Sequence, residues 1–219
     1  MHAPNLSLIP VELLLRAYRG GVFPMADHRD DPEVYWVEPR ERAIIPIGGF
    51  HCSRSLARTI RRDVFTITVD SDFAGTIVEC AAPRADAEDT WISGRIAASY
   101  QRLHEVGHAH SIECRQNGEL VGGVYGVAFD RVFCGESMFS RRTDASKVAL
   151  GWLLALLERA VTLSPRAVEV AKTMIHAAQG EDRAAMVEAL GSAAIAATDD
   201  RAEGVAAFRD KRTPDFSGK

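Results

Sequence analysis

Five stretches of the 219-residue chain carry side chains whose types and spacing can do chemistry. His104-Glu105-Val106-Gly107-His108 spells H-E-x-x-H, with which zinc hydrolases set two imidazoles one helical turn apart around a water-activating carboxylate. Gly107 stands where the helix should end, so His108 would leave the face of His104. A polar helix end plus a turn accounts for the same letters. In Gly135-Glu136-Ser137-Met138-Phe139-Ser140 one carboxylate stands in an apolar strand. Buried acids are rare unless partnered. Glu136 either pairs with an arginine such as Arg95 or Arg142, or holds a substrate cation such as an ammonium. Arg54, Arg58, Arg61 and Arg62 run without an acid until Asp63, either as a solvated helix face or as a contact to phosphate. Trp91, just before a helix cap at Ser93, is core or a platform for a base, where stacking is worth ~1–3 kcal/mol. Gly122-Gly123-Val124-Tyr125-Gly126 lies in a strand rather than a strand-to-helix turn, which excludes a dinucleotide fingerprint. Its glycines mark a bulge or the close approach of a ligand.

The elements that must position these residues follow from local pattern. Pro10 opens a short helix over 10–19, closed by Gly20-Gly21. Gly21 to Met25 reads as a turn with two exposed apolar residues. Short irregular strands are expected between Tyr35 and Pro46. Residues 54–62 form a basic amphipathic helix and Phe65–Val69 a strand. Asp72 caps a helix to about Ala82. Ser93 caps another, with Ile96, Tyr100 and Leu103 on one face and Gly107 at its end. Strands follow at 110–115, 120–129 and 132–139, with Asn117-Gly118 as a hairpin turn. Asp144 caps an apolar helix over 144–157. Further helices are expected from Ser164 to Gly180, over 182–197 and over 200–209, before an extended ending.

Composition bounds the classes. Hydrophobic residues make up 47% and charged residues 26%, as in a globular protein. The net charge of -4 excludes a strongly basic coat but not a local basic patch. No apolar run approaches the ~18–20 residues of a membrane span. The N-terminal stretch, broken by Glu12 and Arg16, is not a secretory signal. A cytoplasmic location follows, with Cys52, Cys80, Cys114 and Cys134 as reduced thiols. The composition changes near residue 158: the last 62 residues hold 15 alanines and no Trp or Tyr, against 17 alanines in the first 157. The first part reads as mixed α and β, the last as nearly all helix.

Residues from about 19 to 155 resemble leucyl/phenylalanyl-tRNA–protein transferase. The resemblance rests on RGGVFPMAD, YWVEPRERAIIPI, FTITVDSDFAGTIVECA, DTWIS, SYQRLHEVGHAHSIE, GELVGGVYGVAF and FCGESMFSRRTDASKVAL. It implies transfer of Leu or Phe from charged tRNA to proteins with N-terminal Arg or Lys, a mark for N-end rule degradation. It implies an α+β chain: a small N-terminal domain, an acetyltransferase-like mixed sheet with flanking helices, and here an all-helical tail. The domains are expected at 1–50, 51–157 and 158–219. By resemblance Glu136 holds the α-ammonium and Trp91 contacts the terminal adenosine. Val124, Phe133 and Met138 line the side-chain pocket, with Tyr100 nearby, and Arg58, Arg61 and Arg62 face the acceptor stem. No cofactor or metal is expected, because an aminoacyl ester is already activated. Two departures stand out. Some members carry a tryptophan where Met25 stands. The acid and glutamine two positions on that relay protons in the family are absent, since the glutamines are Gln101, Gln116 and Gln179 and no D-x-Q occurs; this leaves the catalytic residues unassigned. From about Leu157, SPRAVEVAK and EGVAAFRDKR resemble the helical tail of an enoyl-CoA hydratase/isomerase, which packs against neighbouring subunits. The chain therefore reads as a fusion joined at 152–163, with self-association through its tail and an inactive tRNA-binding module as the competing function.

Overall fold

A computed structural model describes residues 7–84, 88–130, 132–161, 195 and 198–218. The chain divides into two compact units, Met1–Leu154 and Ala155–Lys219.

The first unit opens with helix α1 (Val11–Arg19). Its buried Leu14, Leu15 and Tyr18 follow helical spacing. The expected turn after it is instead strand β1 (Phe23–Met25), which pairs antiparallel with β2 (Tyr35–Val37). Pro24 is tolerated because a two-stranded ribbon is all edge. Helix α2 (Arg54–Arg61) starts at Ser53, whose hydroxyl accepts from the Leu56 amide at 3.2 Å. Strand β3 (Thr66–Val69) leads to α3 (Phe73–Ala81), capped by Asp72 on the Gly75 amide. Helix α4 (Gly94–Glu105) buries Ile96, Tyr100 and Leu103, the face that the spacing predicts. Strands β4 (Ala109–Gln116), β5 (Glu119–Phe129) and β6 (Val132–Ser140) complete a sheet of order β3-β4-β5-β6. Asn117 and Gly118, both at positive φ, make the β4–β5 hairpin. Every described pairing is antiparallel. A mixed sheet was expected, but among the described residues no strand runs parallel to β6.

The sheet is covered on both faces. Leu14, Tyr18, Phe73, Ile77, Ile96, Tyr100 and Leu103 form a core with Tyr125 and Val127 of β5 on one face. Helix α5 (Ala145–Val161) covers the other face with Ala145, Val148 and Ala149, beyond the predicted end at 157. Asp144 does not cap it through its side chain, which turns instead to Lys147 at 3.1 Å and Thr59 at 3.5 Å. The strand glycines have their reason here. A Cβ on Gly122 would stand 2.5 Å from the Cβ of Ala145, and one on Gly123 would stand 3.0 Å from the Phe139 ring. The close approach is by the chain's own helix and neighbouring side chains.

In the second unit, helix α6 (Asp199–Asp210) starts at Thr198 and ends at Lys211 in the left-handed region. The expected extended ending folds back: Asp200 accepts from the Ser217 and Gly218 amides, and Glu203 pairs with Arg212. The helices expected over 164–180 and 182–197 lie outside the described residues. Among the described residues no helix is long and apolar enough to cross a membrane.

Because Gly122 lets α5 sit on β5, Gly122→Ala should cost about 1–3 kcal/mol by overpacking. Gly135→Ala, with nothing within 4 Å of the added carbon, should cost far less. Urea unfolding midpoints of the two variants check the contrast.

Candidate active site

Strand pairing fixes the position of Glu136. Across β5 and β6, Tyr125 faces Ser137 and Gly126 faces Gly135, so Glu136 is the extra residue of a β-bulge. A bulge bends the strand and re-aims a side chain. Here it turns Glu136, part-buried, toward the face of α1 and α4. The Tyr100 hydroxyl donates to Glu136 Oε2 at 3.2 Å. The Tyr18 hydroxyl bonds that of Tyr100 and also reaches the carboxylate. The two phenol rings meet edge to face at 6.5 Å. Arg95 and Arg142, the arginines expected as partners, bond backbone carbonyls instead: Ser7 and Pro32, and Arg141. Among the described residues Glu136 makes no ion pair.

Burial pushes the Glu136 carboxyl up from 4.5 to about 7, against the lowering effect of Tyr18, Tyr100 and the more distant Arg42. Burial also raises Tyr18 and Tyr100, and the charge of Glu136 raises them further, so both remain neutral donors. Arg42 is held by a bond to the Gly21 carbonyl at 2.5 Å and lies 5.6 Å from the Phe23 ring centre. Sequence reasoning missed Tyr18 and Arg42. Tyr18 stands on α1, 82 positions from Tyr100.

Trp91 is half-buried against the core. Its carbonyl accepts from the Ala26 amide at 3.2 Å, which ties the end of β1, and so Met25, to the segment holding Trp91. Val124, Phe133 and Met138 take the opposite sheet face from Tyr100. Met138 pairs with Val124 and Phe133 with Ala128. Five positions apart, Phe133 and Met138 would point to opposite faces of a regular strand. The bulge at Glu136 puts them on one face. Val124 is buried, Phe133 half-buried and Met138 exposed. The structure thus groups Glu136, Tyr100 and Tyr18 on one face and this apolar trio on the other, on adjacent stretches of β5 and β6.

Arg58, Arg61 and Arg62 are exposed at the end of α2, and none forms an ion pair among the described residues. The H-E-x-x-H letters do not make one helical face. Helix α4 stops at Glu105, and Gly107 has φ 79°. His104 Nδ1 lies 2.9 Å from the Ala109 carbonyl, and its ring stacks on Phe73 at 4.4 Å. The described residues hold no group of three or more His, Cys, Asp or Glu arranged for a metal ion.

A second buried acid went unnoticed in the sequence. Glu113 is fully buried and accepts from the Thr68, Ser71 and Ser111 hydroxyls and the Ser71 and Asp72 amides. It is saturated by donors and supports the start of α3.

The raised value of Glu136 has a stability consequence. Between about 4.5 and 7 the folded chain keeps a proton that the unfolded chain has lost, so this group's contribution falls as pH rises through that window. The ionised form costs about 3 kcal/mol above it. Glu136→Gln should therefore unfold at higher urea than the parent at pH 8 and at the same urea at pH 4.

Comparison with known proteins adds to this geometry. A family model described as leucyl/phenylalanyl-tRNA protein transferase matches residues 44–168, and one for that family's N-terminal domain matches residues 8–40. A leucyl/phenylalanyl-tRNA–protein transferase of Novosphingobium aromaticivorans is 68% identical over 151 residues, 69% of this chain and 57% of the relative. One of Cereibacter sphaeroides is 62% identical over 142 residues, 65% of this chain and 64% of the relative. One of Ruegeria pomeroyi is 54% identical over 151 residues, 69% of this chain and 70% of the relative. The chain thus spans 57–64% of the length of the first two. The match to residue 168 runs through the joint read at 152–163 and takes in SPRAV, which the sequence had assigned to a hydratase-like tail. No finding supports that tail. With both family models matched in order and more than half of its residues inside the larger match, the chain belongs to the leucyl/phenylalanyl-tRNA protein transferase family.

Proposed function

We propose that the chain moves Leu or Phe from charged tRNA to the N-terminal Arg or Lys of an acceptor protein, in the cytoplasm, as a tag for degradation by the N-end rule. The observation that carries this reading is Glu136: a carboxylate aimed by a bulge, bonded to phenols, and without an ion-pair partner among the described residues. Such a group suits an ammonium ligand, here the α-ammonium of the aminoacyl end. Trp91 would take the terminal adenosine, and Arg58, Arg61 and Arg62 the acceptor stem. Val124, Phe133 and Met138 would take the amino-acid side chain. They lie on the other sheet face from Glu136; an ammonium and a side chain bonded to one carbon cannot span a sheet, so this geometry speaks against one substrate reaching both groups.

In the reaction the acceptor amine attacks the ester carbon, a C–N bond forms and the C–O bond to ribose breaks. The amine loses one proton and the ribose oxygen gains one, so the balance needs no further reactant. Fixing the ester against the amine converts a two-body encounter into a local one, the larger part of the acceleration expected here.

The domain reading that accompanies this function is a small N-terminal domain over 1–50, an acetyltransferase-like domain over 51–157 and a helical tail over 158–219. The kinship of the tail with enoyl-CoA hydratase/isomerase, and any self-association through it, rest on SPRAVEVAK and EGVAAFRDKR alone. One observation favours a second reading. The chain has no D-x-Q, the segment in which the family relays protons. A tRNA-binding module without turnover is the consequence if nothing replaces it.

Transfer of labelled leucine from charged tRNA to a peptide with N-terminal arginine tests these readings. Transfer that falls at least 100-fold in Glu136→Ala supports the enzyme. Tight tRNA binding without transfer supports the module. Neither binding nor transfer refutes both. If transfer occurs, Tyr18→Phe should shift the acidic limb of its pH profile upward, because Tyr18 holds the Glu136 value down.

A further inference from the structure

Tyr18 meets the Glu136 network from the last turn of α1, so the setting of that turn decides whether its hydroxyl arrives. Leu14 and Leu15 bury the turn before it. Gly20 and Gly21 follow, with Gly21 at φ 80°, and their backbone freedom restrains the helix end weakly. A stronger hold comes from across the fold. Arg19, the last residue of α1, grips Asp130 with both arms of its fork, Nε to Oδ2 at 3.1 Å and Nη2 to Oδ1 at 3.3 Å. Two parallel bonds fix direction as well as distance. The Arg19 guanidinium carbon also lies 5.9 Å from the centre of the Phe129 ring, which in turn lies 6.2 Å from that of Tyr18.

Phe129 ends β5 and pairs with Val132 at the start of β6, the strand that carries Glu136. The Arg19–Asp130 pair therefore joins the same two elements as the Tyr18–Glu136 contact, α1 and the β5–β6 hairpin, at a second point. Its side chains are 51% and 62% exposed, so it contributes little to global stability. Its effect is local: a second fixed point removes the freedom of α1 to turn about the first. Each partner also holds the other charged, Asp130 below the usual carboxylate range and Arg19 above its ordinary value. The titratable or charged groups that act on Glu136 among the described residues are Tyr18 of α1, Tyr100 of α4, Tyr125 of β5, Cys134 of β6 and Arg42 before α2. Neither Arg19 nor Asp130 bonds the Glu136 carboxylate, so the pair acts on its bonding through Tyr18.

We propose that Arg19 and Asp130 are positioning residues of the transfer site: their pair clamps the end of α1 to the β5–β6 hairpin and so keeps the Tyr18 hydroxyl within the Glu136 network. The inference rests on the reading that Glu136 receives the ammonium of the aminoacyl end, and it names the contact that keeps a second donor on that carboxylate.

The test follows the Glu136 carboxyl by carbon NMR in protein labelled at its glutamate side chains, with Glu136→Gln assigning the signal. Asp130→Asn is the diagnostic variant. Asn tolerates the φ of 49° at this position, and the two competing effects have opposite signs. Removal of a negative charge alone favours the carboxylate and lowers its titration midpoint. Loss of Tyr18 as a donor raises it. Asp130→Asn should raise the midpoint by about 0.3–0.5 in pH, roughly a two- to threefold gain in proton affinity. Asp130→Gly, which removes both acceptor oxygens and also suits the positive φ, should shift it the same way. In the Tyr18→Phe background Asp130→Asn should no longer raise it. A midpoint that falls or does not move in Asp130→Asn and Asp130→Gly, or that rises equally in Tyr18→Phe, overturns the clamp and leaves the transferase reading standing. In leucine transfer the acidic limb of the pH profile should rise with the midpoint; a limb that stays while the midpoint moves overturns the pair's part in transfer. A parent that transfers no leucine overturns the transferase reading, while the titration still decides for or against the clamp.

Discussion

A carboxylate that two phenols hold part-way out of water is the interaction around which the first unit is arranged. Glu136 comes from a strand bulge, Tyr100 from the middle of α4 and Tyr18 from the last turn of α1. These three elements must meet for the network to exist, and their meeting is held from several sides. The Ile9 amide donates to Ser99 on α4, the Ala26 amide to Trp91, and the Arg29 amide to Asp89. The segment matched by the N-terminal family model therefore supplies part of the environment of an acid in the larger match.

The chain offers its own control for what a buried acid means. Glu113 and Glu136 both stand in apolar strands. Glu113 is surrounded by hydroxyls and amides that saturate it, so nothing remains for a ligand to satisfy. Glu136 receives hydroxyl bonds only, and these do not offset its burial: its value stays near 7. The difference lies in the supply of donors. Two serines and a threonine near the start of α3 make Glu113 structural. Polar protons are fewer around Glu136, and its neighbours are themselves hard to ionise.

Local signals were legible where local physics decides. The face of Ile96, Tyr100 and Leu103, the Asn117-Gly118 turn and the end of α4 at Gly107 all follow from spacing and backbone preference. What failed depends on partners distant in sequence. Phe23-Pro24-Met25 became a strand because Tyr35 to Val37 pair with it. The bulge depends on the β5–β6 register, which no property of GESMFS reveals by itself. Glu136 itself stood out in the sequence as an acid among apolar residues. Tyr100 was expected near it only through the family resemblance, and Tyr18 was not expected there at all. The same bulge explains why Met138, two positions from Glu136, parts from it to the opposite face, while Phe133, three positions away, does so by ordinary alternation.

The network also fixes what an entering cation must do. With its value near 7, the Glu136 carboxyl is about half protonated at neutral pH. An ammonium bound there, as proposed, would favour the ionised form, so its capture would release a fraction of a proton. Tyr18 and Tyr100 remain neutral across this range, because burial and the neighbouring carboxylate both hold their protons on. They stabilise the anion as donors without competing for the proton it gives up. A lysine or arginine in their place would have lowered the Glu136 value more strongly, but it would have occupied the carboxylate permanently and excluded a second cation.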